Sequence, residues 1–285
     1  MIKGLGTALI TPFQADGSVD YEALARLLDT QLTGYVDYIV VLGTTGEAAT
    51  MTDKERAEVR SFVRSYVNGR LPLVLGLGGN CTAAVCEALR NTDLSGFCAV
   101  LSVCPYYNKP NQEGLYQHFC AVAEASPIPV ILYNVPGRTG VNLLPETIMR
   151  IYNARPDKIL GIKEASGNVE QIKDLICRKS KVESQKQFLV ISGDDGIACE
   201  LMEAGAAGLI SVASNAFPED FWHIVHDKDA ALQAKYADMI RLLFAEGNPV
   251  GIKAVLAQKG IIENQLRLPL VPASPALQEK ILRLL

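Results

Sequence analysis

In the stretch Lys158-Ile-Leu-Gly-Ile-Lys163-Glu-Ala-Ser-Gly167, a short apolar run ends in polar and small residues. An apolar run of this length, bounded by Gly and Ser, is typical of a buried parallel strand. A helical pattern over 169–179 follows it directly. The stretch therefore predicts one strand-then-helix unit, and the same unit recurs along the whole chain.

The recurrence predicts the fold class, α/β. Eight apolar runs read as strands: Gly4–Ile10, Tyr38–Leu42, Leu73–Leu75, Phe97–Val103, Val130–Tyr133, Ile159–Lys163, Phe188–Ile191 and Gly208–Val212. Helical patterns separate them, and two begin with clear signals: Asp20 as an N-cap, and Thr52 with Glu55 as a capping box. Eight even units predict a parallel sheet closed into a (β/α)8 TIM barrel. An open doubly wound sheet is the alternative, but it rarely contains eight such units.

After Pro218 the pattern is purely helical. Helices are predicted over Ala230–Ala245, Pro249–Gln258 and Pro275–Leu284. This segment is longer than the last helix of a barrel requires. The sequence therefore predicts a barrel over residues 1–224 and a C-terminal helical appendage over 225–285.

Composition narrows the class of protein. The 285 residues are 49% hydrophobic and 20% charged, which allows a sizeable core. The net charge of -4 and the lack of a basic stripe argue against a nucleic-acid partner. No apolar run reaches membrane-spanning length and no signal-peptide pattern is visible, so no membrane association is expected. Seven scattered cysteines without a C-x-x-C pair favour the reducing cytoplasm.

A metal site is not expected either. Of three histidines, His223 and His226 can share a helix face, but no set of partner ligands stands near them in the sequence. A surface helix is the simpler interpretation of this pair.

Lys163 is the first candidate for chemistry. Partial burial at the end of a strand strips solvent from an ammonium group, which favours the free amine. A free amine can attack a carbonyl carbon and form a Schiff base. The alternative is a lysine that snorkels to solvent from the strand end.

Other candidates lie where predicted strands end, because reactive groups of such barrels sit there. Strand two ends in Gly43-Thr-Thr-Gly-Glu47, a turn whose free backbone N–H groups suit a carboxylate or phosphate, although an ordinary turn explains it equally well. No Gly-Lys-Ser/Thr follows, which excludes a Walker phosphate loop. Strand five ends in Tyr133-Asn-Val-Pro-Gly-Arg138-Thr-Gly140. Tyr133 offers a proton carrier and Arg138 a planar fork for a carboxylate; the alternatives are a core tyrosine and an exposed arginine.

Three further strand ends complete the predicted rim. Tyr106 and Tyr107 follow strand four and suit packing, an interface or proton transfer. Small polar residues follow strands seven and eight, at 192–195 and 211–215, and leave room for a ligand. An anion nest, a phenol, an amine and a guanidinium together suit a 2-oxo acid bound as an imine.

Three of these segments resemble a known family. The stretches 43–47, 133–140 and 161–167 are similar to signatures of the dihydrodipicolinate synthase (4-hydroxy-tetrahydrodipicolinate synthase) family, within the pyruvate-dependent class I aldolases. The superfamily also contains N-acetylneuraminate lyase and 2-keto-3-deoxy sugar acid aldolases. The resemblance extends over essentially the whole chain, and the segment around Arg138 favours the synthase over a sugar lyase.

The resemblance implies roles for residues that bind and activate pyruvate. Lys163 forms the imine, Thr45 and the adjoining backbone hold the carboxylate, and Tyr133 shuttles protons. Thr44 links Tyr133 to Tyr107, which the family supplies from a neighbouring subunit.

It also implies the second substrate and the assembly. Arg138 binds the carboxylate of L-aspartate 4-semialdehyde, and Gly193 and Ile210 line the pyruvate pocket through their backbone. No metal or organic cofactor is needed. The implied assembly is a homotetramer, a dimer of dimers, and the implied pathway leads through diaminopimelate to lysine.

One part of the chain departs from the family pattern. Members inhibited by lysine carry polar groups in a pocket at a dimer interface, and Asn80 and Tyr106 match that pocket. At four other positions of that pocket, where inhibited members have a serine, two histidines and a glutamate, this chain has Ala48, Asp53, Arg56 and Ala84. The missing carboxylate is the expected partner of the α-amino group of lysine, so inhibition by lysine is predicted to be weak or absent.

Three other functions remain open from the sequence. The nearest is another aldolase or lyase of the superfamily. A non-catalytic 2-oxo acid sensor would keep the anion nest and Arg138 but would not need the tyrosines. A phosphate-binding barrel enzyme is less favoured, because the segments after strands seven and eight lack a basic phosphate cradle.

Overall fold

The computed structural model describes residues 2–180 and 188–285. Eight parallel strands form a closed barrel in sequence order, which confirms the (β/α)8 prediction over the open sheet. The strands are β1 (Gly4–Ala8), β2 (Tyr38–Val41), β3 (Leu73–Gly76), β4 (Ala99–Val103), β5 (Val130–Asn134), β6 (Ile159–Glu164), β7 (Leu189–Ser192) and β8 (Gly208–Ser211).

Helices follow the strands, and a run of helices follows β8, as predicted. They are α1 (Tyr21–Thr33), α2 (Asp53–Val67), α3 (Thr82–Asn91), α4 (Gln112–Ala125), α5 (Pro136–Thr139), α6 (Pro145–Ala154), α7 (Val169–Ser180), α8 (Ala198–Glu203), α9 (Pro218–His226), α10 (Ala230–Lys235), α11 (Ala237–Phe244), α12 (Val250–Gln258) and α13 (Pro275–Leu282). In the part of the chain that the structure describes, no helix combines the length and the apolar character needed to cross a bilayer.

The predicted helix starts are present. The side chain of Asp20 accepts a hydrogen bond from the backbone N–H of Ala23 at the start of α1. At α2, Thr52 accepts from the N–H of Glu55, whose carboxylate accepts from the N–H of Thr52. These bonds satisfy N–H groups that a helix start otherwise leaves without partners.

One predicted helix is divided in two. The pattern over Ala230–Ala245 predicts a single helix, whereas the structure has α10 and α11, separated at Tyr236. The hydroxyl of Tyr236 donates to Asp220, and its ring packs on Phe217 at 5.0 Å and on Phe221 at 5.4 Å between centroids. These contacts to α9 and the residue before it fix the position of Tyr236 and account for the interruption.

The helical segment that follows β7 starts irregularly. It begins as a 3-10 turn over Asp195–Ile197 and becomes α-helical only at α8. The side chain of Asp194 accepts from the N–H of Gly196, which holds the first residues in the tighter turn.

By internal contacts the chain divides into two compact units. One consists of Met1–Leu73 with Ser211–Leu285, and the other of Val74–Ile210. The first unit thus contains β1, β2 and every helix after β8. The predicted boundary between residues 224 and 225 stays a prediction.

Register within the second unit positions the residues discussed below. In the β5–β6 pair, Tyr133 lies beside Lys163 and Asn134 lies beside Glu164. Because side chains alternate along a strand, the first pair faces one side of the sheet and the second pair faces the other.

Candidate active site

Lys163 and Tyr133 lie together at the ends of β6 and β5. Both are buried, with 6% and 7% of their surface exposed. The Lys163 Nζ atom lies 4.5 Å from the centroid of the Tyr133 ring. The structure thus brings the predicted amine nucleophile and the predicted proton carrier into contact, inside a largely desolvated space.

Gly193 leaves room for Lys163. The N–H of Gly193, just after β7, donates to the carbonyl oxygen of Glu164 at 2.7 Å. A Cβ atom placed on Gly193 would lie 2.9 Å from Lys163 Cε and 2.7 Å from Ala165 Cβ. Both distances are shorter than ordinary carbon contacts, so the absence of a side chain at position 193 permits the observed position of the lysine. Ile210, the other predicted lining residue, is buried in β8.

Glu164 is a component that the sequence analysis missed. Its side chain is fully buried on the face opposite to Lys163. It accepts hydrogen bonds from Asn134 Nδ2 at 2.9 Å and from the N–H of Ser166 at 2.8 Å. Burial raises the pKa of this carboxyl group, while these hydrogen bonds oppose that effect. A carboxylate directly after the lysine, in an otherwise apolar strand, is the signal that could have revealed it.

Asn134 extends this hydrogen-bond network across the β5 and β6 loops. Its Nδ2 also donates to Asn142 Oδ1 at 2.8 Å, and its Oδ1 accepts from the N–H of Leu143 at 3.0 Å. Asn142 Nδ2 donates in turn to Gln171 Oε1 on α7 at 2.8 Å. The network therefore fixes the segments that leave the two strands carrying Tyr133 and Lys163.

Arg138 and Tyr107 lie at the surface of the same unit. Arg138 is exposed on the short helix α5, directly after β5. Tyr107 is 89% exposed, and its φ of 72° is in the left-handed region, which is unusual for an aromatic residue. Its N–H donates to the carbonyl oxygen of Thr139 at 3.3 Å. The structure presents the Tyr107 ring outward, and its place in a neighbouring subunit stays a prediction.

Thr44 and Thr45 belong to the first unit, in a 3-10 turn over Thr44–Gly46 after β2. Thr45 is 2% exposed, and its Oγ1 accepts a hydrogen bond from Asn248 Nδ2 at 2.9 Å. Glu47 follows in the left-handed conformation with φ of 52°. The predicted nest is thus a tight turn in which Thr44 is exposed and Thr45 is buried, and Asn248 is a partner that the sequence did not reveal.

A second buried lysine lies in the same unit. Lys253 on α12 is fully buried, and its Nζ lies 2.5 Å from Glu47 Oε1. It also donates to the carbonyl oxygen of Gln265 at 2.9 Å. Burial lowers the pKa of Lys253 to about 8, although the Glu47 carboxylate opposes this effect. Since the lysine is fully buried and paired, it serves the fold of this turn and is closed to substrate.

The two candidate metal-binding histidines have other partners. His223 contacts Asp227 at 2.6 Å and His226 contacts Asp37 at 2.7 Å. Over residues 2–180 and 188–285, no three His, Cys, Asp or Glu side chains are grouped in a way that suits a metal ion.

Comparison with known proteins gives a consistent result. The sequence matches the Dihydrodipicolinate synthetase family over residues 1–285. A 4-hydroxy-tetrahydrodipicolinate synthase from Parabacteroides distasonis is 50% identical over 288 residues, which cover 98% of this chain and 95% of that protein.

Solved structures show the same similarity. A monomeric dihydrodipicolinate synthase variant is 40% identical with a TM-score of 0.94, over 99% of this chain and 95% of that one. The chloride-inhibited dihydrodipicolinate synthase from Acinetobacter baumannii, solved with pyruvate, is 39% identical with a TM-score of 0.93, over 100% of this chain and 98% of that one.

Proposed function

The chain belongs to the dihydrodipicolinate synthetase family, and from this premise we propose how its residues carry out the reaction for which its relatives are named. It is an enzyme that condenses pyruvate with L-aspartate 4-semialdehyde to 4-hydroxy-tetrahydrodipicolinate, on the diaminopimelate route to lysine. The observation that carries the proposed mechanism is the buried Lys163 amine beside the Tyr133 ring.

The first step is imine formation at Lys163. The amine attacks C2 of pyruvate, a C–N bond forms, and the former carbonyl oxygen leaves as water after proton transfer. Tyr133 is the proposed carrier of these protons, since its ring lies against the amine.

Pyruvate is held by its carboxylate in this proposal. Thr45 and the backbone N–H groups of its turn donate to the carboxylate oxygens, as an anion nest does. Backbone at Gly193 and Ile210 lines the pyruvate pocket. The tight turn at Thr45 and the small residue at position 193 support these roles.

The second step joins the two substrates. The iminium draws electrons from the pyruvate methyl carbon, which loses a proton to give an enamine. The enamine carbon attacks the aldehyde of the semialdehyde, whose carboxylate pairs with Arg138. The substrate amine then attacks the imine carbon, closes the ring and releases Lys163 as a free amine.

A proton relay extends from Tyr133 through Thr44 to Tyr107 of a neighbouring subunit. The exposed Tyr107, held with a positive φ, supports a role outside its own subunit. We accordingly propose a homotetramer, a dimer of dimers. We also propose a cytoplasmic location. It is supported by the seven cysteines, which all lie within the described ranges and form no disulfide there.

The second substrate tests the function. Rates are measured with pyruvate and the semialdehyde, and in the cleavage direction with N-acetylneuraminate and 2-keto-3-deoxygluconate. We expect the protein to condense pyruvate with the semialdehyde and to cleave neither sugar acid. Lys163→Ala should show no turnover in any of these assays. Cleavage of either sugar acid at a higher rate would favour another aldolase of the superfamily, and pyruvate binding without turnover would favour a sensor.

A further inference from the structure

We propose that Asn248 is a positioning residue for pyruvate: it turns the hydroxyl of Thr45 so that its hydrogen faces the substrate carboxylate. Asn248 lies just before α12, among the C-terminal helices, and Thr45 lies after β2. The proposal deepens the proposed function and rests on it, since Thr45 is there assigned to the pyruvate carboxylate.

The direction of one hydrogen bond carries the inference. Asn248 Nδ2 donates to Thr45 Oγ1 at 2.9 Å, and both residues are buried. A hydroxyl has a single hydrogen and two lone pairs. Since one lone pair of Thr45 receives the amide hydrogen, its own hydrogen is directed elsewhere. A buried hydroxyl hydrogen needs an acceptor, and a bound carboxylate supplies a charged one.

The turn around Thr45 is fixed on both sides, so this orientation is maintained. Before the substrate binds, Thr11 Oγ1 already donates to the carbonyl oxygen of Gly46 at 2.8 Å. The carboxylate of Glu47 pairs with Lys253 and accepts from the backbone N–H of Arg267 at 3.2 Å. Preorganised donors of this kind bind an anion without reordering the loop.

The contacts also give the C-terminal helices a role in the site. Asn248 precedes α12 and Lys253 lies on it, and both hold the turn that follows β2. All of these residues belong to the first compact unit. The helical tail thus supports the carboxylate nest, in addition to packing on its own neighbours.

Aspartate at position 248 distinguishes a donor from an acceptor role. An ionised Asp side chain accepts hydrogen bonds only, so Asn248→Asp would draw the Thr45 hydrogen toward itself. It would also place a negative charge near the substrate carboxylate. If the amide acted as the acceptor, Asp would keep that hydrogen bond and weaken binding only through its charge. If the amide acts as the donor, Asp loses the hydrogen bond as well.

The experiment measures pyruvate binding without the second substrate. The full-length protein is incubated with increasing pyruvate and reduced with borohydride, and the fraction of adduct is read from the intact mass. For Asn248→Ala we expect half-saturation at about tenfold more pyruvate, the effect of weakening one hydrogen bond to a charged group. Asn248→Asp should need more pyruvate still. The KM for the semialdehyde should stay unchanged in Asn248→Ala.

A double substitution separates positioning from a merely structural effect. If Asn248 acts through the Thr45 hydroxyl, adding Asn248→Ala to Thr45→Val should raise the half-saturating pyruvate no further. Asn91→Ala, at the exposed end of α3, serves as the control. If Asn248→Ala is unfolded at the assay temperature, the size-matched Asn248→Asp replaces it in the single-variant titration, where half-saturation is again expected at more pyruvate than for the unmodified protein.

Failure of the proposed function and failure of the positioning role give different results. No adduct with the unmodified protein would refute the imine mechanism itself. An adduct whose pyruvate dependence is unchanged by Asn248→Ala or Asn248→Asp would refute the positioning role alone. Independent, additive losses in the double variant would do the same, because Asn248 would then act by another route.

Discussion

Gly193→Ala would show how closely the space around Lys163 fits the lysine. The new Cβ would lie 2.9 Å from Lys163 Cε and 2.7 Å from Ala165 Cβ. Ordinary contacts between carbon atoms are about 3.5–4.0 Å, so both neighbours are too close, by roughly 0.6–1.3 Å. Ala165 has no rotatable side chain, so its contact can be relieved only by a shift of the backbone, whereas the lysine side chain has rotatable bonds. We therefore expect the lysine side chain to move as well.

The expected loss follows from that displacement. A reacting group misplaced by about 1 Å can lose about 100-fold in rate, and overpacking costs about 1–3 kcal/mol of stability. The assay is the rate of borohydride-trapped adduct at saturating pyruvate, with a melting curve to show that the variant is folded. Gly137→Ala is the matched control, because nothing lies within 4 Å of a Cβ there. A folded Gly193→Ala that traps pyruvate at the unmodified rate would refute this account of the glycine.

Arg138→Ala should leave pyruvate trapping intact. It should lower kcat/KM for the semialdehyde by a factor that corresponds to about 2–4 kcal/mol, the loss expected for a desolvated ion pair between Arg138 and the substrate carboxylate. Steady-state kinetics with an unchanged dependence on the semialdehyde would remove Arg138 from the site. Hydrogen bonding by Arg267, and then by the Thr52 backbone, lowers the pKa of Glu55 from 4.5 to about 2. Since the folded pKa is the lower one, the stabilisation is present above about pH 4.5 and is lost as the pH falls toward 2. Arg267→Met should flatten this part of the acid unfolding profile, and an unchanged profile would contradict the assignment. Lysine should not half-inhibit the enzyme below about 1 mM, because position 84 lacks the carboxylate; inhibition at sub-millimolar lysine would refute this prediction.

The barrel could be predicted because its signals are local. Each strand is an apolar run that ends at small or polar residues, and helix starts such as Asp20 and Thr52 act on the next three residues. The division at Tyr236 could not be predicted in the same way. Its partner Asp220 lies 16 positions earlier, and the sequence between them still has a helical pattern. Tertiary contacts overrode the local preference there.

The same distinction between local and distant signals applies to the residues of the candidate site. Lys163 and Tyr133 were found because a barrel gathers reactive groups where strands end. Asn248 was missed because 203 positions separate it from Thr45, and nothing near it in the sequence marks a binding residue. Lys253 was missed because a single lysine in the apolar pattern of α12 is commonly a side chain that reaches solvent. Only the folded chain shows that it is buried against Glu47.

The central claim is that Lys163 forms an imine with pyruvate. The direct measurement is to incubate the protein with pyruvate, reduce it with borohydride, and read the intact mass and the modified peptide. We expect one pyruvate-sized adduct per chain, on Lys163. A folded protein with no adduct, or with the adduct on another lysine, would contradict the mechanism.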